Sequence, residues 1–140
     1  MDFFRSMDIS ASGMAAERTR MGVASSNLAN ASTTRTPEGG PYRRLDVVLG
    51  ATPVGDEATD GAPVSFEASV QEVLQDRSAP RVEHDPGHPD ADASGNVAYP
   101  NVSVVEEMVD MITASRAYEA GINALRTAVS MAESALGIGR

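Results

Sequence analysis

Apolar residues in the last third of the chain recur at alternating steps of four and three positions. The line consists of Val104, Met108, Met111, Ser115, Tyr118, Ile122, Leu125, Val129, Ala132 and Leu136. A spacing that averages about 3.5 residues and persists over several heptads is typical of a coiled coil. The pattern therefore predicts one long helix with an apolar seam that packs against another helix.

The ends of this helix are marked by local signals. Ser103 and Glu106 form an S-x-x-E capping box, in which each side chain can bond a free backbone N–H near the other residue. Acidic residues in the next positions place negative charge at the positive end of the helix dipole. Gly137 and Gly139 predict where the helix ends.

The first third of the chain repeats the same spacing. Its line consists of Phe4, Met7, Ala11, Met14, Arg18, Met21, Ser25 and Leu28. Arg18 is the poor fit, although its long stem can reach solvent from the edge of a seam. The simplest arrangement pairs the two terminal helices antiparallel, with the N- and C-termini together.

Each predicted helix also carries small residues beside its seam. In the C-terminal helix these are Ala117, Ala120, Ala124, Ala128, Met131 and Ala135, with Gly121 alongside. In the N-terminal segment they are Ala15, Ala16, Gly22, Val23, Ala24 and Ala29. A pair of helices covers one face of each, and a contiguous exposed apolar surface marks an interaction site. The alternative is that the middle of the chain folds back over this second stripe.

Proline and glycine divide the chain into three segments. All 8 prolines fall within residues 37–100, whereas the outer segments have none. Residues 1–36 and 101–140 are therefore predicted to be helical and to form one structural unit. Residues 37–100 are predicted to form a central loop and β region.

Alternating apolar residues predict strands in the central segment. "YRRLDVVLG" and "PVSFEAS" read as strands, and "SVQEVLQD" could continue the second one. The stretch between them, "ATPVGDEATDGAP", is acidic and rich in turn residues, and is predicted to be a mobile loop. The predicted fold is mainly α, with two to four short β-strands.

A cluster of Asp and His residues before the C-terminal helix suggests a metal site. Asp90, Asp92 and Ser94 match the first half of an EF-hand calcium loop, but its twelfth position is Asn101 rather than Glu. His84 and His88 are separated by a proline, which prevents a helix from placing both rings on one face. A run of Asx turns is the favoured interpretation, because short polar side chains bond their own backbone. A calcium-binding module is the alternative, and we expect no metal and no cofactor.

Charge and composition exclude several functions. A net charge of −9 excludes phosphate neutralisation on a nucleic acid and disfavours docking on anionic lipid. No stretch is long and apolar enough to predict a membrane-embedded chain, and the N-terminus lacks the apolar region of a cleaved signal peptide. There is no Cys, no G-x-S-x-G motif and no phosphate-binding glycine loop, so we expect the protein not to be an enzyme.

Longer motifs show a resemblance to a known family. They comprise "SGM" at residues 12–14, Met21, "NLAN" at residues 27–30 with "TT" behind it, "DPGHPDADASG" and "YPNVSVVEEMVDMITASRAYEA". Together they resemble the bacterial flagellar axial proteins, which form the rod and hook, and most closely the members of the proximal rod. The resemblance covers roughly the first 44 and the last 56 residues.

The resemblance implies a structural subunit of the flagellar basal-body rod that crosses the periplasm. Its terminal helices would pair as an antiparallel coiled coil and line the export channel of a helical drive shaft. The partners would be other proximal-rod proteins, the distal-rod protein, copies of itself and the flagellar type III export apparatus, with an export signal that is not cleaved. A free-standing coiled-coil adaptor is the alternative function.

Both lines of reasoning assign assembly and helix packing to the same residues. They are Met7, Met14, Met21, Asn27, Leu28, Asn30, Met108, Met111, Tyr118, Ile122, Leu125, Val129, Ala117, Ala120, Ala124 and Ala128, with Ser103 and Glu106 as the helix cap.

Overall fold

The computed structural model describes residues 3–54 and 65–138 of the chain. In chain order the described elements are α1 (Phe3–Ala29), β1 (Leu45–Val54), β2 (Ser65–Gln75), β3 (Arg81–His84), β4 (Asn96–Tyr99) and α2 (Val104–Ile138). The strands form two separate antiparallel hairpins, β1–β2 and β3–β4. The predicted class, two long terminal helices around a small β region, is confirmed.

The two helices pack against each other in opposite directions. Asn27, near the end of α1, is hydrogen-bonded to Glu107, near the start of α2. Farther along, Met14 lies against Gly121, so closely that a Cβ added at Gly121 would lie 2.7 Å from the Met14 Cγ. α1 has 27 residues and α2 has 35, so the last turns of α2 extend beyond the start of α1. Leu136, in this overhang, is accordingly 76% exposed.

α1 is covered on two sides and exposed along one line. The exposed line is Phe4, Asp8, Ala11, Ala15, Arg18, Gly22, Ser25 and Ala29. Half of the predicted α1 seam falls on this line, so the prediction that Phe4, Ala11, Arg18 and Ser25 face α2 is wrong. The other half is partly buried, namely Met7, Met14, Met21 and Leu28.

α2 turns a different line towards α1 than the pattern of large apolar residues predicts. Its covered line is Glu107, Met111, Ala114, Tyr118, Gly121, Leu125, Ala128 and Ala132. This line shares every second position with the predicted seam. The predicted positions Ser115, Ile122 and Val129 flank it and are half-buried. Val104, Met108 and Leu136 are exposed, so their predicted place in the α1–α2 seam is wrong.

The β1–β2 hairpin lies along the other side of α1. Asn27 bonds the backbone of Leu45 at one end of β1, and Arg5 donates to the carbonyl of Val54 at the other. From Leu45 to Val54 a strand spans about 30 Å, and from Arg5 to Asn27 a helix spans about 33 Å. The hairpin and the helix are therefore matched in length and run side by side.

Part of the predicted mobile loop belongs to this hairpin. Ala51–Val54 continue β1 and pair with Ser65–Ala68 of β2, so the prediction of a loop at residues 51–54 is wrong. The rest of that predicted loop falls on residues 55–63, outside the described residues. The predicted continuation of the second strand through "SVQEVLQD" is confirmed for all but its last residue, because β2 runs to Gln75. Both strands are longer than predicted, at 10 and 11 residues.

The fully buried apolar core is thin. Among the described residues it consists of Ala16, Ala24, Val97, Val102 and Ala114. None of these side chains is larger than Val, whereas Leu, Phe and other large side chains normally dominate core energetics. The fold therefore depends on polar contacts to an unusual degree for a chain of 140 residues.

Two predicted boundaries differ from the observed ones. α1 ends at Ala29, and the chain turns at residues 30–32, inside the segment predicted to be helical to residue 36. α2 continues through Gly137 to Ile138, so the helix runs past the first of the two glycines predicted to mark its end. Gly139 lies outside the described residues.

Candidate assembly surface

A buried polar cluster joins α1, α2 and the start of β1. The Nδ2 of Asn27 donates to the carbonyl of Leu45 at 2.8 Å and to Oε2 of Glu107 at 2.9 Å. Its Oδ1 accepts from the Leu45 N–H and from the Tyr42 hydroxyl, both at 2.9 Å. A side-chain amide has two donor hydrogens and two acceptor lone pairs. Asn27, which is 1% exposed, therefore uses its whole hydrogen-bonding capacity.

Glu107 completes this cluster from α2. It is 1% exposed, and its Oε1 accepts from Nε of Arg44 at 2.6 Å while Oε2 accepts from Asn27. Arg44 also lies 3.9 Å from carboxylate oxygens of both Asp46 and Asp110. Burial lowers the pKa of the Arg44 guanidinium, but the hydrogen bond and charge of Glu107, with the other two carboxylates, raise the pKa above its ordinary value overall. We call Asn27, Tyr42, Arg44 and Glu107 the polar clamp.

A tight turn after α1 brings Tyr42 and Arg44 into the polar clamp. The Thr36 N–H donates to the carbonyl of Gly40 at 2.9 Å, and the Tyr42 N–H donates to that of Thr33 at 3.0 Å. Gly39 and Gly40 have φ of 92° and 80°, which side-chain-bearing residues rarely adopt. The chain thus reverses beside the end of α1 and enters β1 next to Asn27.

The loop before β4 contains the predicted Asx turns. Asp92 Oδ1 accepts the N–H groups of Ser94 and Asn96, at 2.7 and 2.9 Å. Asp85 Oδ1 accepts the Gly87 N–H at 3.1 Å. These bonds confirm the favoured interpretation of the stretch, because the carboxylates are used by local backbone donors.

Asp90 is likewise used by neighbouring side chains. Asp90 accepts the Thr34 hydroxyl at 2.8 Å and lies 3.8 Å from Arg35, so it anchors the loop to the end of the α1 region. The described ranges, 3–54 and 65–138, contain no group of three or more His, Asp or Glu residues that could hold a metal.

The predicted capping box of α2 is half formed, and Asn30 closes the end of α1. Ser103 Oγ accepts the N–H of Glu106 at 3.4 Å, which is the first half of the predicted capping box. Asn30 follows the last residue of α1, and its Nδ2 donates to the carbonyl of Ser26 at 2.9 Å. Its Oδ1 accepts the Thr33 hydroxyl at 3.1 Å and so holds the turn that leaves the helix.

The small-residue stripe of α2 remains uncovered. Ala117, Ala120 and Ala124 are exposed, and only Ala128 is half-buried because it belongs to the line that faces α1. Among the described residues, the middle of the chain therefore does not fold over this stripe, contrary to the alternative. The β1–β2 hairpin packs on α1 instead.

A second exposed face of α2 was not recognised from the sequence. Val105, Met108, Val109 and Ile112 are 50–71% exposed. Val105 lies three positions before Met108 and four before Val109, and Ile112 lies four after Met108, so all four residues lie on one side of the helix, away from α1. The sequence signal for this face is that its apolar residues recur at helical spacing on a side of α2 that the predicted heptad seam does not include.

The polar clamp was also missed, apart from Asn27. Glu107 looked like a charge at the start of a helix, and Tyr42 and Arg44 looked like part of a strand. The available signal is that Glu107 keeps heptad spacing with Ala114 and Gly121, which places a carboxylate on the covered line of α2.

Neither α1 nor α2, the helices of the described residues, is long and apolar enough to cross a bilayer.

Comparison with known families covers both terminal helices. The family "Flagella basal body rod protein" matches residues 7–35, and the family "Flagellar basal body rod FlgEFG protein C-terminal" matches residues 93–138. The first match lies over most of α1 and the second over all of α2. The paired terminal helices and these matches define the chain as a flagellar basal-body rod protein.

Individual relatives give the narrower assignment. The chain is 40% identical to the flagellar basal-body rod protein FlgC of Borreliella burgdorferi, over 99% of this chain and 98% of that protein. It is 41% identical to FlgC of Salmonella typhimurium, over 95% of each, and 43% identical to FlgC of Aquifex aeolicus, over 89% and 87%. The chain belongs to the FlgC family of flagellar basal-body rod proteins.

Family membership settles the main functional prediction. The chain is a structural subunit of the rod of the flagellar basal body, and it assembles with other rod components. No comparison favours the free-standing adaptor. The resemblance identified in the sequence is confirmed.

Proposed function

We propose that α1 and α2 pair as an antiparallel coiled coil and that the exposed faces of this pair bind neighbouring rod subunits. The covered lines of both helices keep heptad spacing, for example Met7, Met14 and Met21 on α1. Such spacing is what keeps two helices in contact along their length. The contacts at Asn27–Glu107 and Met14–Gly121 agree with this arrangement.

The observation that carries the proposal is that both helices leave apolar, mostly small-residue faces exposed. α1 exposes a line that is mostly Ala, Gly and Ser, and α2 exposes Ala117, Ala120 and Ala124. Helices that meet through small residues can approach closely, because interaxial distance depends on the side chains at the contact. The face with Val105 and Ile112 adds larger apolar side chains to this surface. Neighbouring subunits would remove these faces from water.

The arrangement of these faces favours an open assembly. The exposed line of α1 and the exposed faces of α2 are different surfaces, so a contact between them is heterologous rather than self-complementary. Heterologous contacts that do not close into a ring generate a helical filament. Close-packed helices in its wall would transmit torque as a drive shaft, because packed interiors transmit strain. The enclosed space would be the export channel.

The partners in this proposal are copies of the chain, other proximal-rod proteins and the distal-rod protein. The chain would reach the assembly site across the periplasm in an unfolded state, through the flagellar type III export apparatus and with its N-terminal signal retained. The absence of Cys and the thin apolar core support this route, because both make the chain easy to keep unfolded. The terminal helices would gain their full order as neighbours bind.

Substitution of one exposed Ala tests the assembly surface. Ala124→Glu places a charge on the stripe of α2 without touching the polar clamp, so it should abolish motility and rod assembly while the chain is still exported. Ala128→Glu should do the same, although it also disturbs the contact with α1.

Two controls make this test specific. Ala124→Ser keeps the site small, and Ala93→Glu places the same charge on an exposed loop; both variants should remain motile. Rod assembly is measured by isolating basal bodies, and export by the amount of subunit outside the cytoplasm. Normal motility of the Ala124→Glu strain would contradict the proposed surface.

A further inference from the structure

We infer that the Asn27–Glu107 pair is the positioning element that selects one register of α1 against α2 among several that the helix faces allow. The inference rests on the proposed coiled-coil pairing and adds what fixes its alignment. Glu107 is the charged residue on the covered line of α2, and it meets its partners only where Asn27 and Arg44 lie.

The apolar part of the contact does not define a register. On α1 the covered positions Met7, Met14 and Met21 repeat at heptad spacing, and on α2 Ala114 and Gly121 are followed by Ala128 at the same spacing. A slip by one heptad, about 10 Å along the helix, would bring Met14 against Ala114 or Ala128 instead of Gly121. Flexible Met side chains adapt to either neighbour. Apolar packing therefore distinguishes these registers only weakly.

The polar clamp distinguishes them strongly. If α2 slips in one direction, Asn27 faces Ala114 and loses the acceptor for one of its Nδ2 hydrogens. If α2 slips in the other direction, Glu107 leaves Asn27 and Arg44 and moves towards Arg20, whose positive charge already pairs with Glu17 at 3.0 Å. Either slip separates Glu107 from Arg44. Buried polar and charged groups are costly without their partners, and a polar residue at one seam position is known to specify register.

The same pair aligns the hairpin with the helices. Asn27 bonds both backbone groups of Leu45, the first residue of β1, and Arg44 precedes that residue. Asn27 thus links the position of β1 along α1 to the position of α2 along α1. In a subunit with slipped helices, the exposed face of α2 would be shifted along the helix axis relative to that of α1, so the two faces would no longer match the neighbouring subunits.

Disulfide trapping tests the inference directly, because the chain has no Cys of its own. Met14→Cys with Gly121→Cys reports the observed register, since these positions are in contact. Met14→Cys with Ala114→Cys, and Met14→Cys with Ala128→Cys, report slips by one heptad in the two directions. Each pair is placed in the otherwise native chain and in a chain carrying Asn27→Leu and Glu107→Leu. Equilibration in a thiol redox buffer at low protein concentration gives the populations, and mass spectrometry separates intramolecular from intermolecular products.

We expect the 14–121 disulfide to dominate in the native chain. In the Asn27→Leu/Glu107→Leu chain, the slipped disulfides should increase about tenfold or more relative to 14–121. Glu119→Leu is the matched control, because Glu119 is an exposed residue of the same helix, and it should leave the distribution unchanged. Circular dichroism checks that each chain is helical.

The outcomes separate this inference from the proposal on which it rests. If the Leu/Leu chain is helical and still forms only the 14–121 disulfide, the inference is overturned while the antiparallel pairing stands. If the native chain does not form 14–121, the pairing itself fails. Should the Leu/Leu chain not fold, Glu107→Gln replaces it as a variant of the same size without the charge. A helical Glu107→Gln chain with no increase in slipped disulfides overturns the inference equally.

Discussion

Asn27 and Glu107, which are 80 positions apart in the sequence, are joined by a 2.9 Å hydrogen bond where the end of α1 meets the start of α2. Both are 1% exposed, in a fold whose fully buried apolar side chains are no larger than Val. A satisfied buried network adds modestly to stability, but removing one member leaves the others unpaired at a high cost. Variants of the polar clamp should therefore have larger effects than their small number of contacts suggests.

Replacement of Arg44 should be the most damaging single change in the polar clamp. Arg44→Met removes the cation beside Glu107, whose side chain is 2% exposed, and should lower the free energy of unfolding by about 3 kcal/mol. Urea unfolding followed by circular dichroism measures this change. The matched control is Arg43→Met, since Arg43 is exposed, and it should stay within about 0.5 kcal/mol of the parent. Equal effects of the two variants would contradict the role of Arg44.

Removal of the Tyr42 hydroxyl should have a smaller effect. Tyr42→Phe leaves Oδ1 of Asn27 with the Leu45 N–H as its remaining partner, and should cost about 1 kcal/mol of unfolding free energy. Tyr118→Phe is the control, because the Tyr118 hydroxyl takes no part in the polar clamp. Thermal unfolding of both variants gives the comparison, and an unchanged midpoint for Tyr42→Phe would count against the hydrogen bond.

Two glycines of one loop should respond differently to the same substitution. Gly95 has φ of 76°, and a Cβ at this position would lie 2.9 Å from Cε1 of His84. Gly95→Ala should therefore destabilise the β3–β4 hairpin by about 1–2 kcal/mol. At Gly87 the nearest atom to an added Cβ is Asp85 Oδ1 at 3.5 Å, so Gly87→Ala should be tolerated. Amide hydrogen exchange of β4 measures both, and equal protection in the two variants would refute the prediction.

The stability of the turn after β2 should decrease at acidic pH. The Ser78 hydroxyl and N–H both donate to Asp76, and these bonds, with a smaller contribution from the Arg44 charge, hold the pKa of Asp76 below its ordinary value of 3.8. A lowered pKa means that the bonds stabilise the turn above pH 3.8 and are lost as the pH falls through the lowered pKa. Ser78→Ala should raise the pKa of Asp76 towards 3.8. An NMR titration of the Asp76 carboxyl checks this, with Ser103→Ala as a control outside the turn.

The two helices could be predicted because their signals are local and repeated. Heptad spacing, the Ser103 cap and the absence of proline all point to helix, and pairing of the chain ends follows from two seams of similar length. The exact faces could not be predicted by joining the largest apolar residues. The line that faces α1 contains Ala114, Gly121 and Ala128 because small residues allow the helices to approach closely. It also contains Glu107, because Arg44 and Asn27 donate hydrogen bonds to the buried Glu107 carboxylate.

The central segment shows the limit of local signals in another way. Glycine and proline in "ATPVG" indicate a loop, but Thr52 and Val54 pair with Glu67 and Ser65 across the hairpin. The partner strand and the adjacent α1 supply the bonds and packing that decide the conformation, and neither is visible in a short window of sequence. The Asx turns around Asp85 and Asp92 were predictable for the opposite reason, because their bonds reach only a few residues.

The position of Glu107 late in the chain has a consequence for how the subunit is made. A ribosome synthesises α1 and the long hairpin first, and at that stage Asn27 has Leu45 but not Glu107. The side of α1 that packs against α2 therefore stays uncovered until the final quarter of the polypeptide has been synthesised. A nascent chain is thus an incomplete fold until α2 has been synthesised and has packed on α1.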